Sequence, residues 1–526
     1  MVVSGSPIAS EVGRDILRAG GNATDAAVAV GFALAVVHPE AGNIGGGGFM
    51  VFRSADGTAY ALDYRETAPG RATHDMFLDR QGEPTALSDK GHLAAGVPGA
   101  VAGLVEAHRR FGRLPFREVI DPAVRLAREG FIVDEYRSRS LDEYRAWFYT
   151  FPASRRYFLP DSGQAPAPGS RWVQQDLGRT LEAIRDHGVA GFYAGWVADS
   201  IVAEMERGGG LISRTDLAAY RALWREPVRI SYRGHTIFSM PPASSGGVTL
   251  GLILNIMEGY GALPPFGSAP LLHREAEAMR RAFTDRNRYL GDPDFVTMPL
   301  ERLGSKEYAE MLRREIDPDR ATPTPPFDPF LREGGSTTHY SVVDAEGNAV
   351  SCTTTLNDSY GSAVAVSGAG FLLNDEMDDF TTAPGRPNLY GLIQGEANAI
   401  RPGKRMLSAM TPSIVLDPSG ALFLVVGTPG GPTIITQVYH VISNLIDHGM
   451  SLPDAVAAPR MHHQALPDSL RVERDGFQPG ALSRLESLGH RIATRRRWGD
   501  VQAIIRTAEG WQGVSDPRLG GGGAGY

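Results

Sequence analysis

The hydrophobic pattern changes period several times along the chain. Ser6, Pro7 and the apolar spacing of "PIASEVGRDILR" predict a helix capped at Ser6 and stopped at Gly20–Gly21. The next run, "NATDAAVAVGFALAVVHPE", is rich in Ala and Val on nearly every side, which predicts a helix buried all round. "FMVFRS" and "TAYALDYRE" read as consecutive strands about an "ADG" turn. From residue 100 to about 320 helical spacing dominates, interrupted by two strands in "PVRISYRGHTIFSMP". Residues 317–336, "DPDRATPTPPFDPFLREGGS", predict an exposed, irregular linker. Strand patterns follow at "THYSVVDAEG", "NAVSCTTTLND", "SGAGFLLND", "SAMTPSIVLDPSG" and "ALFLVVGTPG". Helices come next at "PTIITQVYHVISNLIDHG" and "LPDAVAAPRMHH", then strands at "SLRVER", "RIATRR" and "DVQAIIRT".

This order, strands, a helical middle, then strands with a helical pair, predicts an α+β or layered α/β protein. No internal repeat is visible. The linker divides the chain into residues 1–336 and 337–526, and both parts carry strands and helices. One core shared by the two parts is therefore expected.

Composition narrows the function classes. The chain has 526 residues, 42% hydrophobic and 21% charged, ordinary for a globular protein of roughly two to four domains. A formal charge of -8 argues against a nucleic-acid binder. The single cysteine, Cys352, excludes an internal disulfide and a CxxC zinc pair, and its place in "NAVSCTTTLN" reads as a buried small hydrophobe rather than a nucleophile. No apolar run approaches the ~20 residues of a membrane span. No signal peptide precedes "MVVSGSPIASEVGRDIL", so the expected location is cytosolic unless a natural N-terminus lies upstream; the compartment stays open.

Few motifs carry chemistry. "NIGGGGF", residues 43–49, lacks both the Lys-Ser/Thr of a phosphate loop and GxGxxG spacing, and reads as a close approach of backbones. The final "GGGGAGY" reads as a C-terminal turn. No GxSxG or HExxH occurs, and the histidines of "RMHH", residues 460–463, fit packing and hydrogen bonding better than metal ligation.

The threonines remain. "GGSTTHYSVVD" sets a flexible Gly-Gly-Ser directly against the first residue of a predicted strand, Thr337. A threonine hydroxyl needs a base, and the residue's own α-amine, with a reference pKa of about 7.7–8.0, is one. That amine exists only if the chain is cut before Thr337. The hydroxyl can attack the preceding carbonyl, shift the acyl group from N to O, and let water release it. Thr, β-branched, holds its hydroxyl more stiffly than Ser.

The chain resembles the gamma-glutamyltransferase (gamma-glutamyl transpeptidase) family of N-terminal-nucleophile hydrolases. The likeness runs end to end, through "ILRAGGNATDAAVAVGFALAVVHPEAGNIGGGGFMVFR", "YRETAPG", "GHLAAGVPGAVAGL", "MPPASSGG", "TTHYSVVDAEGNAV", "TLN", "LLNDEMDDF", "PGRPNLYG", "GTPGG" and "SDPR". The resemblance implies a proenzyme that cuts itself between Ser336 and Thr337 into a large subunit, 1–336, and a small subunit, 337–526, joined in a four-layer αββα sandwich. Thr337 then takes the acyl group from glutathione or another gamma-glutamyl donor and passes it to water or to an amino acid or dipeptide acceptor. No cofactor or metal is implied.

By the same resemblance Thr355 holds the Thr337 amine or hydroxyl. Gly430 and Gly431 offer N–H groups to the oxyanion. Arg65 clamps the donor α-carboxylate, with Ser408 adding a hydrogen bond, and Asn357, Glu376 and Asp379 bind the α-ammonium. "TTAPGRPNLYGLIQGEANA" matches a lid with Tyr390 near its tip. One departure stands out: Ala409 occupies the place of a second serine found in many members, which bears on the donor. The alternatives are a related amidase of the cephalosporin-acylase kind and a homologue that no longer cuts itself.

Overall fold

The computed structural model describes residues 1–160, 163–323 and 337–525. At its centre lie two antiparallel sheets packed face to face. The first has seven strands in the order Gly522–Ala524, Val2–Ser4, Thr337–Val343, Ala349–Thr355, Gly47–Arg53, Ala59–Asp63, Leu223–Arg225. The second has six: Gly510–Ser515, Gln502–Thr507, Leu422–Gly427, Ser413–Leu416, His235–Ser239, Val228–Tyr232. Both sheets combine strands from before and after the 324–336 stretch: in the first they interleave, and in the second they meet once, where Ser413–Leu416 pairs with His235–Ser239, so the two parts of the chain share their cores.

Three apolar clusters fill the layers. Val3, Phe49, Val51 and Val343 meet Ile414, Leu422, Val425 and Ile504 between the sheets. Tyr340, Val342, Val350 and Cys352 point the other way, into helices Pro7–Arg18 and Ala23–Val37. Val415, Leu424 and Val426 face helices Gly246–Glu258, Ala269–Tyr289 and Thr433–Ile446. This is the four-layer αββα arrangement, and the two-residue alternation of strand side chains builds it directly.

Local signals explain most elements. Every residue of Ala23–Val37 is buried, as its apolar circumference requires, and Asn22 with Asp25 closes a capping box at its start. Pro7 opens the first helix, but the Ser6 side chain makes no capping bond; the Ser4 hydroxyl instead donates to the Ser6 carbonyl. The Cys352 thiol lies against the Tyr64 hydroxyl at 2.9 Å, and burial pushes it up to about 12, which suits packing and not attack. His462 meets Thr436 and Gln464, and His463 meets Asp468.

Four expectations fail. "LPDAVAAPRMHH" is helical only over Leu452–Ala457, because Pro459 cannot continue the helix, and Met461–His462 pairs as a strand with Leu470–Glu473. "SGAGFLLND" forms a tight turn with a single Ala365–Leu372 bridge, because Gly368 and Gly370 both adopt positive φ and break the extended path. The C-terminal glycines form an edge strand: Gly522–Ala524 pairs with Val2–Ser4, and the Ser10 hydroxyl donates to the Gly522 carbonyl at 2.6 Å. The early part of the expected linker is docked, with Ala321 N donating to Leu488 O at 2.7 Å. Its remainder, including Ser336, lies outside the described residues. No described helix is long and apolar enough to cross a membrane.

The glycine run works by close approach. A Cβ on Gly45 or Gly46 would collide with the carbonyls of Leu372 and Thr355, and one on Gly48 would lie 2.5 Å from Thr353 O. Asn43 ties the turn to the end of the Ala349–Thr355 strand, donating to Thr355 O at 2.8 Å and accepting from Gly46 N at 2.8 Å. Gly46→Ala is expected to cost about 1–3 kcal/mol, as overpacking does. A lower midpoint at unchanged m in denaturant unfolding will show it.

Candidate functional site

The site forms where the Thr337–Val343 strand begins. Thr337 pairs in register with Thr355, and the Thr337 hydroxyl donates to Thr355 Oγ1 at 3.3 Å. Thr355 Oγ1 also accepts from Asn357 N at 2.8 Å, and Asn357 takes a positive φ of 83° that turns the chain sharply out of the strand. Strand alternation places Thr337, His339 and Ser341 on the inter-sheet side. There Ser341 Oγ donates to Gln502 O and Ser351 Oγ to Val426 O, each at 3.0 Å. The His339 ring bonds Thr353 and Ser341, and burial lowers it to about 3, so it is neutral. The inter-sheet layer thus turns from apolar at Val343 to hydroxyl-lined at Thr337.

A small enclosed cavity lies over Thr337. Arg65, Thr355, Asn357, Asp379, Tyr390, Ser408, Ala409 and Gly431 line it, with Arg286. Two of the sequence-predicted residues stand apart from its wall. Glu376 lies behind Arg65, and Gly430 lines a neighbouring groove.

Arg65 follows the Ala59–Asp63 strand and is fully buried. Its guanidinium meets Glu376 at 2.5 Å, bonds Asp379, and has Glu66 at 3.7 Å. Burial works against the cation, but Glu376, Asp379 and Glu66 outweigh it and hold Arg65 above its ordinary range. Burial raises all three carboxyls while Arg65 pulls them back; Glu66 reaches about 8, and Glu376 is also held well up. Arg286, from the Ala269–Tyr289 helix, is a second buried cation, lowered to about 10 by burial and partly restored by Asp379. Its Nε donates to Ser245 Oγ at 3.0 Å and its Nη1 to Gln394 Oε1 at 2.9 Å. Two cations, Arg65 and Arg286, thus share one buried volume with three raised carboxyls, Glu66, Glu376 and Asp379. One proton shared among those carboxyls makes the set neutral, and a zwitterion enters it without changing the balance.

Gly430 and Gly431 precede the 14-residue Thr433–Ile446 helix. Both have positive φ, 130° and 55°. Neither N–H has a hydrogen-bond acceptor among the described residues. Two unpaired N–H groups before a helix N-terminus make a place for an oxyanion. A Cβ on Gly430 would lie 2.5 Å from Thr433 Oγ1, and one on Gly431 would lie 3.0 Å from the Tyr390 ring.

Tyr390 closes the cavity. Its hydroxyl donates to Asn357 O at 2.8 Å, and its carbonyl accepts from Gln464 Nε2 at 3.2 Å. Asn388 Oδ1 accepts from Tyr390 N at 3.1 Å and from Leu392 N at 3.0 Å, which fixes the turn at the segment's tip. Asp378, pushed up to about 7 by burial and by Asp89, accepts from Leu389 N at 3.0 Å. Ser408 Oγ accepts from Met410 N at 3.1 Å, which leaves its hydroxyl hydrogen to donate into the cavity. The methyl of Ala409 lies beside it.

Sequence reasoning missed Arg286, Ser245 and Gln464. Arg286 stands in "RRAFTDRNRYLG", which reads as the charged face of an ordinary helix. A weak signal exists in retrospect: the helix keeps Glu275, Glu277, Arg280 and Asp285 buried as well, more charge than a plain core face carries.

A family model described as Gamma-glutamyltranspeptidase matches residues 9–526. A glutathione hydrolase proenzyme from Escherichia coli is 46% identical over 98% of this chain and 90% of that protein. The solved cephalosporin acylase from Bacillus halodurans superposes with a TM-score of 0.89 at 29% identity, covering 100% of this chain and 95% of that one. A chain of the Helicobacter pylori gamma-glutamyltranspeptidase structure is 48% identical with a TM-score of 0.59, covering 60% of this chain and 91% of that one.

Replacing Tyr390 by Phe removes the hydroxyl that ties the 381–398 segment to Asn357 O. A net hydrogen bond of about 1 kcal/mol corresponds to roughly fivefold in the opening equilibrium. Amide exchange across residues 381–398 is expected to quicken by that factor, with the sheet strands unchanged.

Proposed function

The chain belongs to the gamma-glutamyltranspeptidase family, and on that premise we propose that Thr337 is its nucleophile, freed by a cut after Ser336. The protein is a self-processing gamma-glutamyl hydrolase and transpeptidase that acts on glutathione and related donors. One observation carries the assignment of Thr337: its hydroxyl stands 3.3 Å from Thr355 Oγ1 at the head of a central strand, inside the cavity that also holds Arg65 and Asp379.

The steps follow from that placement. In the proenzyme the Thr337 hydroxyl adds to the Ser336 carbonyl, the C–N bond breaks, and water hydrolyses the resulting ester. Residues 1–336 and 337–526 become two subunits held together by the shared sheets. The freed α-amine of Thr337 then takes the hydroxyl proton as Oγ adds to the gamma-carbonyl of the donor. The N–H groups of Gly430 and Gly431 hold the oxyanion. Collapse expels the leaving amine, which takes the proton from the Thr337 ammonium. Water or an acceptor amine reverses the sequence and regenerates Thr337. Thr355 orients the nucleophile, and Tyr390 keeps bulk water from the acyl-enzyme.

Donor recognition follows from charge. Arg65 takes the α-carboxylate in its fork, with Ser408 beside it, and Asp379 and Asn357 take the α-ammonium. Glu376 acts through Arg65, which it holds from behind. Arg286 adds a second cation to the wall of the cavity that Ala409 also lines. A related amidase reading draws on the likeness to the cephalosporin acylase and on Ala409; hydrolysis of glutaryl amides without gamma-glutamyl anilide turnover will favour it.

Denaturing mass analysis tests the cut. The wild-type chain is expected to yield a fragment beginning at Thr337, and Thr337→Ala a single intact chain. A wild-type chain still intact after long incubation contradicts the reading. Arg65→Lys keeps the charge but loses the fork. A hydrogen bond to a charged group is worth about 1.5–3 kcal/mol, so KM for a gamma-glutamyl anilide is expected to rise about ten- to a hundredfold. An unchanged KM removes Arg65 from the donor site.

A further inference from the structure

A second, roomier space opens on the far side of Tyr390. It measures about 250 Å³, against about 20 Å³ for the cavity over Thr337. Tyr390 and Pro432 line both spaces, and Gly430 and Gly431 stand one on each side of the division. An acyl carbon held at Thr337 under those glycines therefore leads its leaving group past Tyr390 into this groove.

The groove is unusually basic for a chain of net charge -8. Arg471, Arg495, Arg496, Arg497 and Arg518 all line it. Among the described residues, the carboxylates Glu473 and Asp516 are already committed: both pair with Arg518, and Asp516 also pairs with Arg460 at 2.5 Å. Arg496 and Arg497 are exposed and have no carboxylate partner among the described residues. Trp498, next in sequence, also lines the groove. Its indole N–H is shielded from solvent and has no acceptor among the described residues. Asp500, just beyond, turns inward; it is buried, burial raises it to about 7, and it pairs with none of the groove arginines among the described residues. "RRRWGD" thus presents the cations Arg496 and Arg497 outward and keeps its one carboxyl buried.

We propose that this groove binds the carboxylates of an acidic peptide chain on the leaving-group side of the scissile bond, so that the enzyme favours gamma-glutamyl donors bearing several carboxylates beyond that bond. The proposal rests on Thr337 being the acyl-accepting nucleophile. A single carboxylate, as in a neutral dipeptide leaving group, engages one guanidinium fork; two or more are needed to engage Arg496 and Arg497 together. Because both arginines are exposed, each contact is individually weak and screened by salt. The preference is therefore steep in the number of carboxylates and falls with ionic strength.

Three donors separate the claims: a gamma-glutamyl anilide with no carboxylate on the leaving side, gamma-glutamylglycine with one, and gamma-linked tetraglutamate with several. The wild-type enzyme is expected to show kcat/KM about tenfold higher for tetraglutamate than for gamma-glutamylglycine at low salt, the gain vanishing near 0.5 M NaCl, where the Debye length falls to about 4 Å. Arg496→Ala with Arg497→Ala is expected to abolish that gain and leave anilide turnover within about twofold; the double Lys variant is expected to keep most of it. Calorimetry with tetraglutamate on the Thr337→Ala chain reads the groove without turnover, and the same double Ala change is expected to weaken binding about tenfold. Absence of anilide turnover sinks the gamma-glutamyl reading alone. Equal kcat/KM for the two peptide donors, or a preference or binding that survives the double Ala change, overturns the groove proposal.

Discussion

Everything at the site depends on one piece of pairing: the Thr337–Val343 strand lies between Val2–Ser4 and Ala349–Thr355, in the interior of a sheet. An interior strand is held by backbone bonds on both edges and by side chains on both faces. Its first residue is therefore fixed in position even though the preceding chain belongs to a linker. The cross-strand register sets Thr337 opposite Thr355, and the second sheet and its Thr433–Ile446 helix bring Gly430 and Gly431 to the same end. The proposed nucleophile, which must stay placed after its own peptide bond is broken, has this kind of support. Both sheets combine strands of both chain segments, which gives the two pieces a common core to remain in.

The second constraint is electrostatic. Arg65, Arg286, Glu66, Glu376 and Asp379 crowd one buried volume, where an uncompensated charge is costly. One proton shared among the three carboxyls restores neutrality. A zwitterionic amino acid head presents one charge of each sign to this set and exchanges partners within it, whereas a simple anion or cation upsets the balance. On the proposed reading, recognition of the donor head is a property of the whole cluster, with Ala409 removing only one neutral hydrogen bond from its edge.

The sequence made some of this legible. Ala23–Val37 announced its burial because it is apolar all round, and the glycine run announced a close approach because no phosphate-loop residues accompany it. Thr337 stood out as a hydroxyl at a loop-to-strand boundary, yet residues alone gave that little weight; the ordered motifs of the family gave it meaning. Other features are tertiary and left no local mark. Gly522–Ala524 becomes a strand only because Val2–Ser4 offers an open edge, and glycine carries no strand preference to foretell it. Arg286 looks like a solvated helix residue until Ser245 and Gln394 are brought against it. The arginine groove joins residues from 471 to 518 with the lid, and a run of three arginines in sequence reads as plain surface charge.

The central claim is that Thr337 carries the acyl group. Rapid acid quench of the processed enzyme with a gamma-glutamyl anilide, followed by peptide mass mapping, tests it most directly. The account predicts one gamma-glutamyl adduct, on the peptide that begins at Thr337 and borne by its hydroxyl. An adduct on any other residue, or turnover with no covalent intermediate under conditions where deacylation is slow, would contradict it.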